Sequence, residues 1–95
     1  DLASRLAAAL WLDLGQPDEP MAEALLLAMA AERGLPLGVD AARYLVPRAP
    51  RSAAMLERLV LAIDRLSLER QAPPTLAIWR AALDEVVGPE EPRLL

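Results

Sequence analysis

The sequence of 95 residues contains neither cysteine nor histidine. Without these residues it cannot form a zinc site of the usual kind, a disulfide scaffold, a cysteine nucleophile or a histidine general base. All ten basic residues are arginine, so the phosphate-binding pattern GxxxxGK followed by serine or threonine, which needs lysine, is absent as well. We therefore expect no metal site and no enzymatic activity within this chain.

Aromatic residues and long apolar runs are also scarce. The aromatic residues are Trp11, Tyr44 and Trp79, and much of the 55 % hydrophobic content is alanine, which together with leucine favours helix. No run of about 18 apolar residues is present to span a membrane. The net charge of −4 argues against a nucleic-acid surface. No basic stretch leads into an apolar region at the start, so we expect no signal peptide and a cytoplasmic protein.

The longest helical pattern covers Arg51–Arg70, which contains no glycine or proline. Pro50 stands just before it, where its missing N–H costs nothing. One stripe of positions recurs at intervals of three and four residues: Leu56, Leu59, Val60, Ile63, Leu66 and Ser67. This period predicts an α-helix with one face in a core. About twenty residues at about 1.5 Å each span about 30 Å, so shorter helices can pack along it.

Two shorter helices are predicted before the long one. The first begins at the N-cap Asp18, runs to about Arg33 and stops at Gly34. The second covers about Val39–Val46 and is ended by Pro47. Their expected inward residues are, in the first, Ala22, Leu25, Leu26, Met29 and Ala30, and in the second, Val39, Ala42, Leu45 and Val46.

A last helix is predicted over about Leu76–Val87, with Thr75 as its N-cap. Its expected inward residues are Leu76, Trp79, Leu83 and Val86. The sum is an all-α fold, a small four-helix bundle over residues 18–87. We interpret residues 88–95 as an acidic tail, and we expect this tail to be mobile.

Residues 1–17 carry two more predicted elements. Asp1–Leu10 matches a short helix, and Trp11–Leu14 matches a strand. A lone strand leaves its backbone groups unpaired, so we expect it to pair with a sheet upstream or with a second copy of the chain. The second case predicts a homo-oligomer through Trp11–Leu14. Because the chain starts at Asp1 rather than Met, we expect it to be a piece of a longer protein.

The arginines offer one candidate binding site. Arg48 and Arg51 flank Pro50 at the predicted start of the long helix, where backbone N–H groups and two guanidinium groups could hold an anion. The alternative is an ordinary solvated helix start with surface ion pairs. The acidic pairs Asp84-Glu85 and Glu90-Glu91 are interpreted as solvated surface charge, since no neighbouring group prepares them for acid–base catalysis.

Several segments occur in an order that resembles one protein family. They are Asp1–Leu6, the Pro17-Asp18 turn, the helix ending at Gly34, Tyr44–Val46, the Arg48–Arg51 turn, the long helix and Thr75–Leu83. Their order and spacing resemble the DnaA/Hda branch of AAA+ proteins, from Asp1 to about Val87. The resemblance implies that residues 1–17 end an ATPase core and that residues 18–87 form its helical lid.

The resemblance also implies roles for individual residues. Arg5 matches the arginine finger, which acts in trans on a nucleotide held by a neighbouring subunit, and its planar guanidinium suits a transferring phosphoryl group. The family places a second-sensor arginine early in the long helix, where this chain has Ala54. Arg51 lies one turn earlier and Arg58 one turn later, so either could substitute. Arg48 and Arg51 are the expected phosphate contacts.

The implied function is that of an Hda-like regulator of chromosomal replication initiation, which stimulates ATP hydrolysis on DnaA. The partners would be DnaA and, through a region upstream, the DNA polymerase sliding clamp. The parent protein would bind ATP or ADP, and this chain alone would bind neither. Two alternatives stay open: a nucleotide-independent helical interaction module, or the lid of a DnaA-type initiator without its DNA-binding domain. The acidic, proline-rich residues 88–95 argue against the initiator.

Overall fold

The computed structural model describes residues 18–88, and these residues form four α-helices and no strand. The helices are α1 (Glu19–Glu32), α2 (Val39–Leu45), α3 (Ala53–Arg70) and α4 (Leu76–Val86), with a 3-10 turn at Val46–Arg48 between α2 and α3. The predicted all-α fold is confirmed. The expected helix of residues 1–10, the strand Trp11–Leu14 and the tail after Gly88 lie outside the described residues.

Both ends of α1 form where the sequence predicts them. At the start, the Asp18 side chain accepts a 3.0 Å hydrogen bond from the backbone N–H of Met21 and caps the helix. At the end, Gly34 has a φ of +72°, which glycine adopts without strain. The N–H of Leu35 then donates to the Ala30 carbonyl oxygen at 2.9 Å, and the Leu35 side chain is buried in the core.

The long helix α3 begins two residues later than predicted, at Ala53 instead of Arg51. The Ser52 side chain accepts a 3.2 Å hydrogen bond from the Met55 N–H, and the Ser52 backbone is extended. A serine in this geometry is an N-cap, because its hydroxyl satisfies one of the unpaired N–H groups at the helix start. Arg51 therefore stays in the loop before the helix.

Helix α3 is the centre of the core and packs against α4 and α1. Its buried residues follow the predicted stripe with one addition, Ala62: Leu56, Leu59, Val60, Ala62, Ile63 and Leu66. Ser67, at the end of the stripe, is only half-buried, and its hydroxyl donates to the Ala72 carbonyl oxygen. Every buried residue between positions 18 and 88 is apolar. Hydrophobic burial on α3 is therefore the main stabilising contribution to the bundle.

The inward face of α2 differs from the prediction at one position. Val39 is 49 % exposed, and the prediction that it faces inward is wrong. Ala41 is buried in its place, beside Ala42 and Leu45. The short helix packs against α1 and α4, and this packing buries Ala41, Ala42 and Leu45 and leaves Val39, in the first turn, exposed.

The inward face of α4 is also rotated from the predicted one. Leu76 is 40 % exposed, so that part of the prediction is wrong, whereas Ile78 is only 2 % exposed and Ala82 is fully buried. Leu83 is buried as predicted. The other two predicted residues, Trp79 and Val86, are half-buried and pack against the edge of the core. The large apolar residues of this helix form one wide stripe with Ile78 at one edge and Leu76 at the other, and the packing on α3 buries the Ile78 edge.

Candidate functional site

The loop between α2 and α3 carries the two arginines that the sequence pairs as an anion site. Arg48 ends the 3-10 turn and reaches back to α2, where its Nη1 donates a 2.8 Å hydrogen bond to the Tyr44 carbonyl oxygen. Its Cζ lies 3.9 Å from the centroid of the Tyr44 ring. Arg51 is half-buried in the loop before Ser52. Nothing in residues 18–88 tests a shared anion between Arg48 and Arg51, so that site stays a prediction.

Tyr44 connects Arg48 to the last helix. Its ring centroid is 5.8 Å from that of Trp79, with an angle of 40° between the ring planes. The indole N–H of Trp79 in turn donates a 2.7 Å hydrogen bond to the Pro74 carbonyl oxygen. The interpretation of Trp79 as part of the packing is thereby supported, since its ring contacts the core and its polar atom is satisfied. Together these contacts hold α2, the 3-10 turn and α4 in one arrangement.

A groove of about 430 Å³ opens between these elements. We call it the Arg48 groove, and its lining residues are Tyr44, Arg48, Arg80, Leu83, Asp84, Val87 and Gly88. Two arginines and one aspartate therefore line the same space, together with a tyrosine and two aliphatic residues. The groove can accept an anionic group together with an apolar one.

Arg80 is the residue of this groove that the sequence did not single out. It lies on an exposed face of α4, 32 positions after Arg48, and nothing in the local pattern connects the two. A signal did exist for the other half of the groove, because Tyr44 and Arg48 are four residues apart, a spacing that places two side chains on one side of a helix. The structure therefore joins Arg48 to Arg80, and Arg51 is not among the residues that line this groove.

The second-sensor position lies in the first turn of α3. Ala54 is exposed there, and it presents a methyl group to solvent. Arg51 precedes the N-cap and is not part of the helix. Arg58 is exposed one turn after Ala54 and lines a second groove of about 610 Å³, which Tyr44 does not line. Neither arginine therefore occupies the first turn of α3.

Charges in this second groove, which we call the α3 groove, are mostly paired. Arg33 lies 3.6 Å from the Asp64 carboxylate, joining α1 to α3. Arg65 donates to Glu69 at 3.1 Å and also to Glu85 on α4. These hydrogen bonds, above all that to Glu85, raise the pKa of Arg65 above its ordinary value, because both carboxylates favour the charged guanidinium. The exposed ion pairs connect three helices across the groove and contribute little to stability individually.

Two kinds of site are absent from residues 18–88. This range contains no group of three or more acidic, cysteine or histidine side chains that could hold a metal ion. It also contains no helix with the length and apolar character needed to cross a membrane. Arg5, the candidate arginine finger, precedes the described residues, so its role stays a prediction.

Comparison with known proteins gives one family match. The family model described as "Hda, lid domain" matches residues 18–83, which include all four helices up to Leu83. No curated protein and no solved structure matches the chain. The matched range is more than half of the sequence, and it coincides with the helical bundle that the resemblance implies. The chain therefore belongs to the Hda family of DnaA-related AAA+ proteins and carries the lid domain of that family.

Proposed function

We propose that the parent of this chain regulates initiation of chromosomal replication by stimulating ATP hydrolysis on DnaA. The observation that carries this proposal is the family match over residues 18–83. DnaA is the partner that membership of this family makes most plausible. The sliding clamp, bound through a region upstream, stays a prediction of the resemblance alone.

In this proposal Arg5 acts in trans on the ATP bound to DnaA. A guanidinium group is charged at every accessible pH and presents a planar fork of N–H donors. It can therefore stabilise the charge that builds on the phosphoryl oxygens during transfer to water. The lid begins at residue 18, on the same chain segment that carries Arg5, so we propose that the lid helps to set the position of that segment.

The lid does not contact nucleotide through the second-sensor position in this proposal. Ala54 has no polar side-chain atom, Arg51 lies outside the helix, and Arg58 faces the α3 groove. The residues present at the first turn of α3 thus do not fit a phosphate contact of that kind. Any ATP or ADP in the parent would be held by its core, and this chain alone would not hydrolyse ATP.

The test is a DnaA hydrolysis assay with the full-length parent protein and a set of single substitutions. Arg5→Ala should lower the stimulated rate by about 10³-fold or to the level of DnaA alone, the magnitude of a lost arginine finger. Arg51→Ala, Arg58→Ala and Ala54→Arg should each leave the stimulated rate within about twofold. Arg70→Ala, at an exposed position at the end of α3, is the matched control for the loss of one positive charge.

Three outcomes decide the proposal. Full stimulation by Arg5→Ala, with an unchanged thermal melt, would show that Arg5 is not the finger. A specific loss with Arg51→Ala would show that Arg51 replaces the second-sensor arginine and that the lid does contact nucleotide. Binding of the parent to replication-origin DNA would identify an initiator in place of a regulator.

A further inference from the structure

The two grooves of the bundle differ in how their arginines are neutralised. In the α3 groove, Arg33 and Arg65 each lie within ion-pair distance of a carboxylate, whereas Arg58 forms no ion pair with residues 18–88. In the Arg48 groove, neither Arg48 nor Arg80 forms an ion pair with any residue from 18 to 88. No carboxylate among residues 18–88 therefore lies within ion-pair distance of the two arginines of the Arg48 groove.

Arg48 is held in place before any ligand arrives. One of its N–H groups donates to the Tyr44 carbonyl oxygen at 2.8 Å, and its Cζ lies over the Tyr44 ring, 3.9 Å from the centroid. A guanidinium has five N–H donors, so most of them are left for a second acceptor. A charge whose rotamer is already restricted loses less conformational entropy on binding than a free surface arginine.

The carboxylate of Asp84 is the third charged group in the groove, and it limits the negative charge that a ligand can carry. Asp84 lines the groove one turn after Arg80, so the charges of Arg48, Arg80 and Asp84 sum to +1. A net charge of +1 matches the single negative charge of one carboxylate. A doubly charged phosphate would exceed it and would be repelled by Asp84 at close range. The net charge of −4 on the whole chain also disfavours nucleic acid as the source of the anion.

We propose that the Arg48 groove binds a glutamate or aspartate side chain on a short segment of a protein partner. The carboxylate would lie between Arg48 and Arg80, and an adjacent apolar side chain would pack on Leu83 and Val87, of which Val87 is exposed. This surface is separate from Arg5, so the inference goes beyond the proposed function and can fail independently of it.

The test is an NMR titration of the ¹⁵N-labelled 95-residue chain with two peptides, acetyl-Leu-Glu-Leu-amide and acetyl-Leu-Gln-Leu-amide. The peptides have the same shape and differ in one carboxylate. The glutamate peptide should shift the side-chain Nε–H signals of Arg48 and Arg80 and the indole N–H of Trp79, which adjoins Tyr44. The glutamine peptide should bind about tenfold more weakly, because charge-assisted hydrogen bonds are lost.

Substitutions then locate the binding surface. Arg48→Gln and Arg80→Gln should each weaken binding of the glutamate peptide by about tenfold. Asp84→Asn should tighten it severalfold, because it removes a like charge. Arg43→Gln removes one positive charge from α2 outside the groove and should have little effect, so it is the matched control. An equal loss with all three arginine variants would indicate long-range attraction only and would overturn the proposal.

Other occupants of the groove give different results. Inorganic phosphate binding more tightly than the glutamate peptide would show that the site recognises phosphate and would overturn the proposal. The double substitution of Glu90 and Glu91 to glutamine tests the chain's own acidic segment. If that change moves the same signals without peptide and tightens peptide binding, the chain's own segment is the occupant. Equal affinity for the two peptides, or no shift with either, would also contradict a carboxylate site.

Discussion

The guanidinium of Arg48 covers the ring of Tyr44, with Cζ 3.9 Å from the ring centroid and a 2.8 Å hydrogen bond to the Tyr44 carbonyl oxygen. One side chain thus contacts both the aromatic face and the backbone of the same residue. Arginine can do this because its donors lie at the edge of a plane that also stacks on rings. The contacts tie the 3-10 turn to α2 just before the chain turns into α3.

We predict that Arg48 and Tyr44 are energetically coupled. Arg48→Ala should lower the free energy of unfolding by about 0.5–1 kcal/mol, the range of an exposed cation–π contact. A double-mutant cycle with Tyr44→Leu, measured by urea denaturation, should give a coupling free energy of similar size. Arg48→Lys should recover only part of it, because an ammonium cannot stack and donate in the same geometry. Additive single effects would contradict the contact.

The N-cap residues Ser52 and Thr75 should contribute differently to the free energy of unfolding. Ser52→Ala removes the 3.2 Å hydrogen bond to the Met55 N–H and should lower the unfolding free energy by about 1 kcal/mol. Thr75→Ala at the start of α4 should cost less, because the Thr75 side chain makes no capping hydrogen bond. Thermal melts of the two variants provide the comparison. Equal losses would mean that the Ser52 cap is not formed in solution.

Leu59 should be essential to the bundle. It is fully buried in the middle of α3, and Leu59→Asp would place an unpaired charge in the core. We expect loss of the cooperative helical melt followed by circular dichroism. The milder Leu59→Ala should cost about 2–5 kcal/mol. Leu68→Ala is the matched control on the same helix, since Leu68 is 73 % exposed, and should change stability by about 0.5 kcal/mol or less.

Substitution of Gly34 should lower the free energy of unfolding because of its backbone conformation. Its φ of +72° is strained for any residue with a β-carbon, although no heavy atom lies within 4 Å of where that carbon would be. Gly34→Ala should therefore cost about 1 kcal/mol, and Gly34→Asn less, because asparagine tolerates this conformation better. Gly38→Ala is the control, because Gly38 has a negative φ and equally open surroundings. Similar losses at both positions would exclude the conformational explanation.

Local signals predicted much of the fold. The Asp18 cap, the Gly34 stop and the stripe along α3 each depend on residues within a few positions of one another, so they can be recognised in the sequence. The predicted start of α3 was wrong by two residues because two signals compete there. Pro50 permits a helix to begin at Arg51, whereas the Ser52 side chain caps one that begins at Ala53, and the hydrogen bond favours the second.

The candidate site was predictable only in part. Arg48 was identified from its position beside Pro50, but its expected companion was Arg51. In the structure, the second arginine that lines the groove with Arg48 is Arg80. Arg80 lies on α4, the helix that follows α3. Arg5 and the expected strand Trp11–Leu14 precede the described residues, so the finger and the homo-oligomer stay predictions.

By itself, the sequence determined the helical class, the approximate limits of all four helices and the absence of cysteine and histidine chemistry. These properties follow from composition and from interactions between residues close in the chain. Only the tertiary structure decided that Ile78 is buried while Leu76 and Val39 are exposed, and that Arg48 and Arg80 share a groove. The physical reason is that the apolar stripe of α4 is wider than the surface that buries it, so the packing against α3 decides whether the Ile78 edge or the Leu76 edge of the stripe is covered. That orientation of α4 in turn places Arg80 on the lining of the same groove as Arg48.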